Sequence, residues 1–220
     1  IVFYELPILV KGGHPSIVGE TAEELACACD RFGFDRRQFV FALKVFEELG
    51  LKYEDKLGIT GVKAKLFEKA DGPNIAIMGE LDAVVCPDHP HADPVTGAAH
   101  CCGHFAQTTV MLAAAMGFNA IKDELEGGNV TFLAVPAEEC VEVEWRKDMI
   151  GEGNIKYLGG KQELIHLGVY DDIDMAMMVH GTGADDYINC SAKNVGFVAK
   201  TVKFIGKEAH AGGSPWDGIN

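Results

Sequence analysis

Long apolar runs are missing from this chain. No stretch reaches the ~18 uninterrupted apolar residues of a membrane-crossing helix, and the opening Ile1-Val2-Phe3-Tyr4-Glu5-Leu6-Pro7 lacks the basic flank of a secretory signal. A cytoplasmic location is expected. Basic residues are scarce as well: 19 Lys and Arg stand against 33 Asp and Glu, a formal charge of -14 that repels phosphate backbones and anionic headgroups. That balance argues against nucleic acid and membrane surfaces as partners. A disulfide framework is also absent, because the seven cysteines are odd in number and lie in apolar segments or beside other candidate ligands, not at framework spacings. Reduced thiols are expected. No internal repeat or low-complexity segment interrupts the 220 residues, and 48% hydrophobic content suffices for one large core, or for one domain and part of another.

Hydrophobic residues alternate between two periods. Phe39, Leu43 and Phe46 recur at helical spacing in a segment from Asp35 to Leu49 that Gly50 closes. Val62, Ala64 and Leu66 alternate with Lys63, Lys65 and Phe67, which predicts a half-exposed strand. The turn Asp71-Gly72-Pro73-Asn74 leads into Ile75 to Gly79, a run suited to a buried strand, and Val130 to Val135 reads the same way. Phe105, Thr109, Leu112 and Met116 mark one face of a helix beginning near Gly103. Gly159 to Leu167 reads as helix, Met175 to Val179 as strand and Val195 to Ile205 as a longer strand. Strands separated by helices predict an α/β sheet with helices on both faces. A new alternating pattern near Ser191 predicts two domains, 1–190 and 191–220.

The ends of the predicted strands carry the chemistry. Catalytic groups of α/β sheets collect beyond the carboxyl ends of the strands. Four such ends here hold Glu80 and Asp82, then Cys102 and His104, then Glu138 and Glu139, then His180. In a Cys102-Gly103-His104 turn, alternate side chains can face one ion, and thiolate and imidazole are favoured zinc ligands. The same residues also suit a small buried hydrophobe and a hydrogen-bonded core histidine. Adjacent carboxylates repel each other unless a cation neutralises one. Consecutive side chains also point apart, so Glu139 is assigned to the metal and Glu138 to general base. A helix N-terminus attracting acids is the competing reading of that pair.

Five segments in this order then carry a resemblance: Gly79-Glu80-Leu81-Asp82-Ala83, Gly97-Ala98-Ala99-His100-Cys101-Cys102-Gly103-His104, Pro136-Ala137-Glu138-Glu139, Met178-Val179-His180 and Gly206-Lys207-Glu208-Ala209-His210-Ala211. Together they resemble the metallopeptidase family of aminoacylases, carboxypeptidases, aminobenzoyl-glutamate hydrolases and auxin-conjugate amidohydrolases, over about residues 75 to 220. The resemblance implies a zinc-exopeptidase-like mixed, mostly parallel sheet, followed by the start of an α+β lid and dimerisation domain. It implies one or two divalent ions (Zn, Mn, Co or Ni) on Cys102, His104, Glu139 and His180. Glu138 would deprotonate the metal-activated water, Asp82 would orient the site, and His210 would stabilise the oxyanion, usually across a homodimer. The implied reaction is hydrolysis of an amide in N-acyl amino acids, small dipeptides or similar small molecules.

Several features depart from that pattern. Cys101 stands where the resembling motif has a small alanine, and a vicinal pair with Cys102 could oxidise. His89, His91 and Asp93 could pass for a second metal cluster, but Pro87, Pro90 and Pro94 predict a turn-rich polar loop. His14 and His166 read as surface or structural residues, and Cys27, Cys29 and Cys190 as small packed hydrophobes. The family's last histidine ligand and the rest of its sheet follow the lid and have no match here. A partial site is therefore expected, one that holds metal weakly and turns over poorly. Two rival classes are a non-catalytic metal-binding homologue and a thiol redox protein using Cys101 and Cys102; the second lacks the spacing of a Cys-x-x-Cys motif.

Overall fold

The computed structural model describes residues 36–68, 71–139, 141–181, 196, 198, 200 and 202–219. It divides the chain into two compact units, Ile1–Thr182 and Gly183–Asn220. In the first unit, helix α1 (Arg36–Glu48) buries Ala42, Val45 and Phe46 on one face, the helical spacing of its apolar residues made physical. Its end is a Schellman motif: Gly50 N–H donates to Glu47 O at 3.0 Å and Leu51 N–H to Phe46 O at 2.9 Å. Leu51 thereby enters the same core as Phe46.

Five strands form the main sheet: β1 (Tyr53–Leu57), β2 (Gly61–Lys65), β3 (Asn74–Glu80), β6 (Asn129–Val135) and β7 (Met175–Met178). Their spatial order is β1-β2-β6-β3-β7. The β1–β2 and β2–β6 pairs are antiparallel and the β6–β3 and β3–β7 pairs parallel, so every strand but β2 runs in one direction. The sheet is mixed and mostly parallel, with helices on both faces. Alternate residues of the central β6 separate two cores. Val130, Phe132 and Ala134 face α1 and helix α2 (His104–Ala120), while Leu133 and Val135 pack on Leu164 of helix α4 (Gly160–His166) and on Val169. Between β3 and α2, the short pair β4 (Val84–Val85) and β5 (Ala98–Ala99) closes a turn-rich loop. Helix α3 (Val143–Gly151) follows β6, and its sequence carries no clear apolar stripe that would have announced it.

Three expectations about elements change. Strand β2 is buried on both faces, not half-exposed, because the Lys63 ammonium is drawn inward onto Val169 O at 2.6 Å and Asp172 Oδ1 at 2.5 Å. The buried face of α2 is His104, Gln107, Thr108, Met111, Leu112 and Ala115, leaving Phe105 and Thr109 exposed. That rotation follows from close approach: a Cβ at Gly79 of β3 would lie 2.8 Å from Thr108 Cα, so only glycine lets this helix face meet the strand. In the second unit, the described residues of the expected strand over 195–205 lie in no strand, and the others fall outside the described residues. Among the described residues of that unit, the regular elements are a bridge between Lys207 and Ile219 and the 3-10 turn Pro215–Asp217. His14, Cys27, Cys29, Cys140 and Cys190 lie outside the described residues. Among the described helices none is long and apolar enough to cross a membrane.

Candidate metal centre

Register decides which side chains meet. Glu80 of β3 pairs with Val135 of β6, and Met78 with Met178 of β7, so the three parallel strands end nearly level. The segments leaving them, Leu81–Asp82, Pro136–Glu139 and Val179–His180, therefore emerge at one edge of the sheet. The α2 N-terminus arrives at the same edge through Gly103, whose φ of 99° only glycine adopts readily. His104 is the first helical residue and its side chain is 1% exposed.

Both histidines of the cluster present the same nitrogen. His104 Nδ1 lies 2.9 Å from the Asp82 main-chain oxygen. A carbonyl only accepts, so Nδ1 carries the proton and donates, and in the neutral ring the lone pair belongs to Nε2. His180 repeats this, with Nδ1 donating to Gly181 O at 2.8 Å and Nε2 standing 3.5 Å from Cys102 Sγ. One ligand atom each from Cys102, His104 and His180 lies within 4.8 Å of the others, and the same holds for Glu80, His104 and Glu138. Glu139 Oε1 and Glu138 Oε2 stand 3.8 and 3.9 Å from His104 Nε2. The Asp82 carboxylate braces the group, its Oδ1 3.0 Å from His104 Nδ1 and its Oδ2 accepting the Glu139 main-chain N–H at 2.8 Å.

The electrostatics are those of a site built around positive charge. Burial opposes charge on His104, but Asp82 and Glu80 outweigh it and push its pKa up to about 10. Burial likewise opposes the Glu80 carboxylate, yet His104 and Lys161 bring its pKa down to about 2. Burial, followed by the Glu80 charge, raises the Glu138 carboxyl against the pull of Lys161. Burial and the Glu139 carboxylate push the Cys102 thiol up to about 12. His104 Nε2 sits 2.9 Å from Glu80 Oε2, yet both atoms are buried without an aligned hydrogen bond, as is Asp82 Oδ1. Unpaired acceptors and lone pairs facing a thiol fit a divalent cation, which would take the place of the imidazole proton and lower the thiol pKa.

The structure thus brings Asp82, Cys102, His104, Glu138, Glu139 and His180 together, although they come from four chain segments. His210 belongs to the second unit, where its Nδ1 accepts from Gly212 N–H at 3.1 Å and Gly213 N–H at 2.9 Å. Two residues given no role by the sequence also belong to the cluster. Glu80 is a strand-end carboxylate that turns inward onto His104, and Lys161, from α4, forms an ion pair with Glu80 and stands 3.7 Å from Glu138 Oε1. The alternation of β3 hints at Glu80; nothing local hints at Lys161, whose partner is 81 residues away. His89 and His91 lie in a loop of turns, ring centroids 5.9 Å apart, where Asp93 Oδ1 accepts the Val95 and Thr96 N–H groups. Among the described residues they join no group with metal-binding distances. His166 packs edge-on against Tyr157. Cys86, Cys101 and Cys102 are free thiols.

A mixed, mostly parallel sheet bearing a thiol, two imidazoles and paired carboxylates at the ends of its strands defines the class: an α/β protein with the donor set of a metallohydrolase. Residues 76–201, more than half of the chain, match the model of peptidase family M20/M25/M40, and the chain belongs to that family. It is 30% identical to the mouse Xaa-Arg dipeptidase over 165 residues, 70% of this chain and 30% of the relative. It is 29% identical to the N-acyl-L-amino acid amidohydrolase of Geobacillus stearothermophilus over 147 residues, 65% of this chain and 34% of the relative. In fold it is similar to the crystal structure of a protein assigned as an aminohydrolase from methicillin-resistant Staphylococcus aureus, with TM-score 0.50 and 24% identity over 64% of this chain and 32% of that one. The chain spans less than half the length of the curated relatives it matches.

Proposed function

We propose that this chain carries the metal-binding half of an amidohydrolase that cleaves N-acyl amino acids, small dipeptides or similar amides. The observation that carries this reading is the pair of imidazoles, each tied at Nδ1 to a carbonyl, that with Cys102 bring one ligand atom apiece within 4.8 Å of one another. Cys102, His104, Glu139 and His180 would hold the cation, with Zn, Mn, Co and Ni all compatible with sulfur, nitrogen and oxygen donors. When bound, such a cation polarises an amide carbonyl and acidifies water toward a pKa of ~7.

The chain's own residues supply the rest. Glu138 is partly exposed beside the ligands, where its carboxylate can take a proton from water and pass it to the leaving amine. Asp82 fixes the His104 ring and the Glu139 backbone at once, holding two ligand groups in place through one carboxylate. His210 is read as the oxyanion donor: with Nδ1 accepting two main-chain N–H groups, its proton sits on Nε2 and can be donated. That role places the second unit in a lid and makes a homodimer the working assembly, in the cytoplasm, with a small amide as substrate.

The test is Glu138→Gln, compared with the unsubstituted chain for bound metal by elemental analysis and for hydrolysis of a panel of N-acyl amino acids. Metal content should stay while turnover falls by a factor of about 100 or more. Loss of the metal together with the activity would place Glu138, not Glu139, among the ligands.

A further inference from the structure

The cluster already contains one cation of its own. The partly exposed Lys161 ammonium forms an ion pair with Glu80 Oε1 and stands 3.7 Å from Glu138 Oε1. Glu80 is 1% exposed, and its second oxygen, Oε2, is buried without an aligned hydrogen bond. One ligand atom each from Glu80, Glu138 and His104 lies within 4.8 Å of the others, so this trio has the outline of a divalent-ion site in its own right. Its carboxylate oxygens suit hard ions such as Mn and Mg, whereas the trio of Cys102, His104 and His180 suits softer ones. The ammonium reaches both carboxylates of the oxygen-rich trio.

Lys161 does not serve its own helix. It is the second residue of α4, and a cation in the first turn opposes the helix dipole. Backbone geometry holds it there nevertheless. A Cβ at Gly160 would fall 1.5 Å from Pro136 O, so α4 begins in backbone contact with the segment that carries Glu138, an approach that glycine alone permits. Gly160 N–H donates to Ala137 O at 3.0 Å, and Ala137 has a φ of 48°, a conformation that a non-glycine residue keeps only where its surroundings impose it. Lys161 follows one partner of that hydrogen bond and Glu138 follows the other, so a single strained contact fixes where both side chains start.

We propose that the Lys161 ammonium fills the cation position formed by Glu80 and Glu138 and bars a divalent ion from it, confining metal to the side of the cluster that bears Cys102 and His180. Removing the ammonium leaves the buried Glu80 carboxylate uncompensated, a strongly unfavourable state that a divalent ion relieves. The consequence for catalysis, that Glu138 stays clear of metal and available to water, rests on the hydrolase reading above. The exclusion of an ion stands on the geometry alone.

The test counts ions, not turnover. The 220-residue chain is saturated with zinc, freed of excess and titrated with Mn(II), the free ion being followed by its electron paramagnetic resonance signal. An acidic surface has weak sites of its own, so each variant is compared with the unsubstituted chain. Lys161→Ala should bind about one more Mn(II) per chain, and Lys161→Ala combined with Glu80→Gln should bind no more than the unsubstituted chain. Lys161→Arg, which keeps the charge, should exclude the extra ion as lysine does. The proposal is overturned if Lys161→Ala gains no ion, if the gain survives Glu80→Gln, or if Lys161→Arg gains one as well. If Lys161→Ala does not fold, Lys161→Gln replaces it with the same expectation, and Glu80→Gln alone supplies a further check. That variant should bind as much zinc and Mn(II) as the unsubstituted chain, and the loss of an ion would show that Glu80 already holds metal, against the proposal. These counts in a chain that hydrolyses no amide uphold the exclusion and count against the hydrolase reading alone.

Discussion

His104 touches a carboxylate through each ring nitrogen and is almost wholly buried, an arrangement that stores a demand for positive charge at one point. Asp82 is the residue whose replacement reads that demand most cleanly, because it contacts His104 and the Glu139 main chain, both proposed to hold the cation, without being proposed as a ligand itself. Asp82→Asn keeps the shape but weakens the hold on the Nδ1 proton, and metal affinity measured by competition with a chelator should fall about 10–100-fold. Unchanged affinity would show that the Asp82 main-chain oxygen orients His104 unaided. Cys102, His104 and the glutamate pair were legible as chemistry in the sequence because thiolate, imidazole and adjacent carboxylates are costly or unusual after buried strands. Glu80 was legible as a strand-end acid, but its ion pair with Lys161 was not, since partners so far apart in the chain leave no local trace.

Elements explain where the sequence reading succeeded and where it slipped. Periodicity located α1, β3, α2, β6 and α4 because each has a buried apolar side, and the short apolar run of β7 located that strand although its residues are mostly exposed. It misjudged β2 and the face of α2, where a salt bridge and a glycine contact override the pattern. It missed α3, whose sequence mixes charge and bulk around the helix. The α2–β3 contact yields a direct prediction: Gly79→Ala drives a methyl into the Thr108 backbone and should destabilise the first unit by about 1–3 kcal/mol, seen as a lower urea midpoint with unchanged slope. A change below the error of the midpoint would mean that α2 can shift outward freely.

The opposite end of the sheet from the cluster is built for stability. Asp172 ties the ammonium groups of Lys63 and Lys65, and Asn74 N–H donates to Asp174 Oδ2 at 2.8 Å. Burial would raise the Asp172 pKa, but the two lysines prevail and hold it below the ordinary carboxylate value. A carboxylate depressed on folding stabilises above its unfolded pKa and loses that contribution as pH falls through the folded one. Asp172→Asn should therefore cost about 1–2 kcal/mol at neutral pH, where Lys63 loses a charged partner, and the deficit should shrink below about pH 4. A deficit that is constant from pH 7 to pH 3 would refute the ion-pair account.

For the whole molecule, the broad architecture followed from composition and alternation. The convergence of four segments on one edge required the register of β3, β6 and β7, which no local pattern states. The proposed function requires that Cys102, His104 and His180 share one cation. X-ray absorption at the metal edge of the zinc-loaded 220-residue chain measures this directly. It should show sulfur at ~2.3 Å and imidazole nitrogen at ~2.0–2.1 Å, with the sulfur shell lost in Cys102→Ser. A spectrum with oxygen neighbours alone, or one indifferent to Cys102→Ser, would contradict the account.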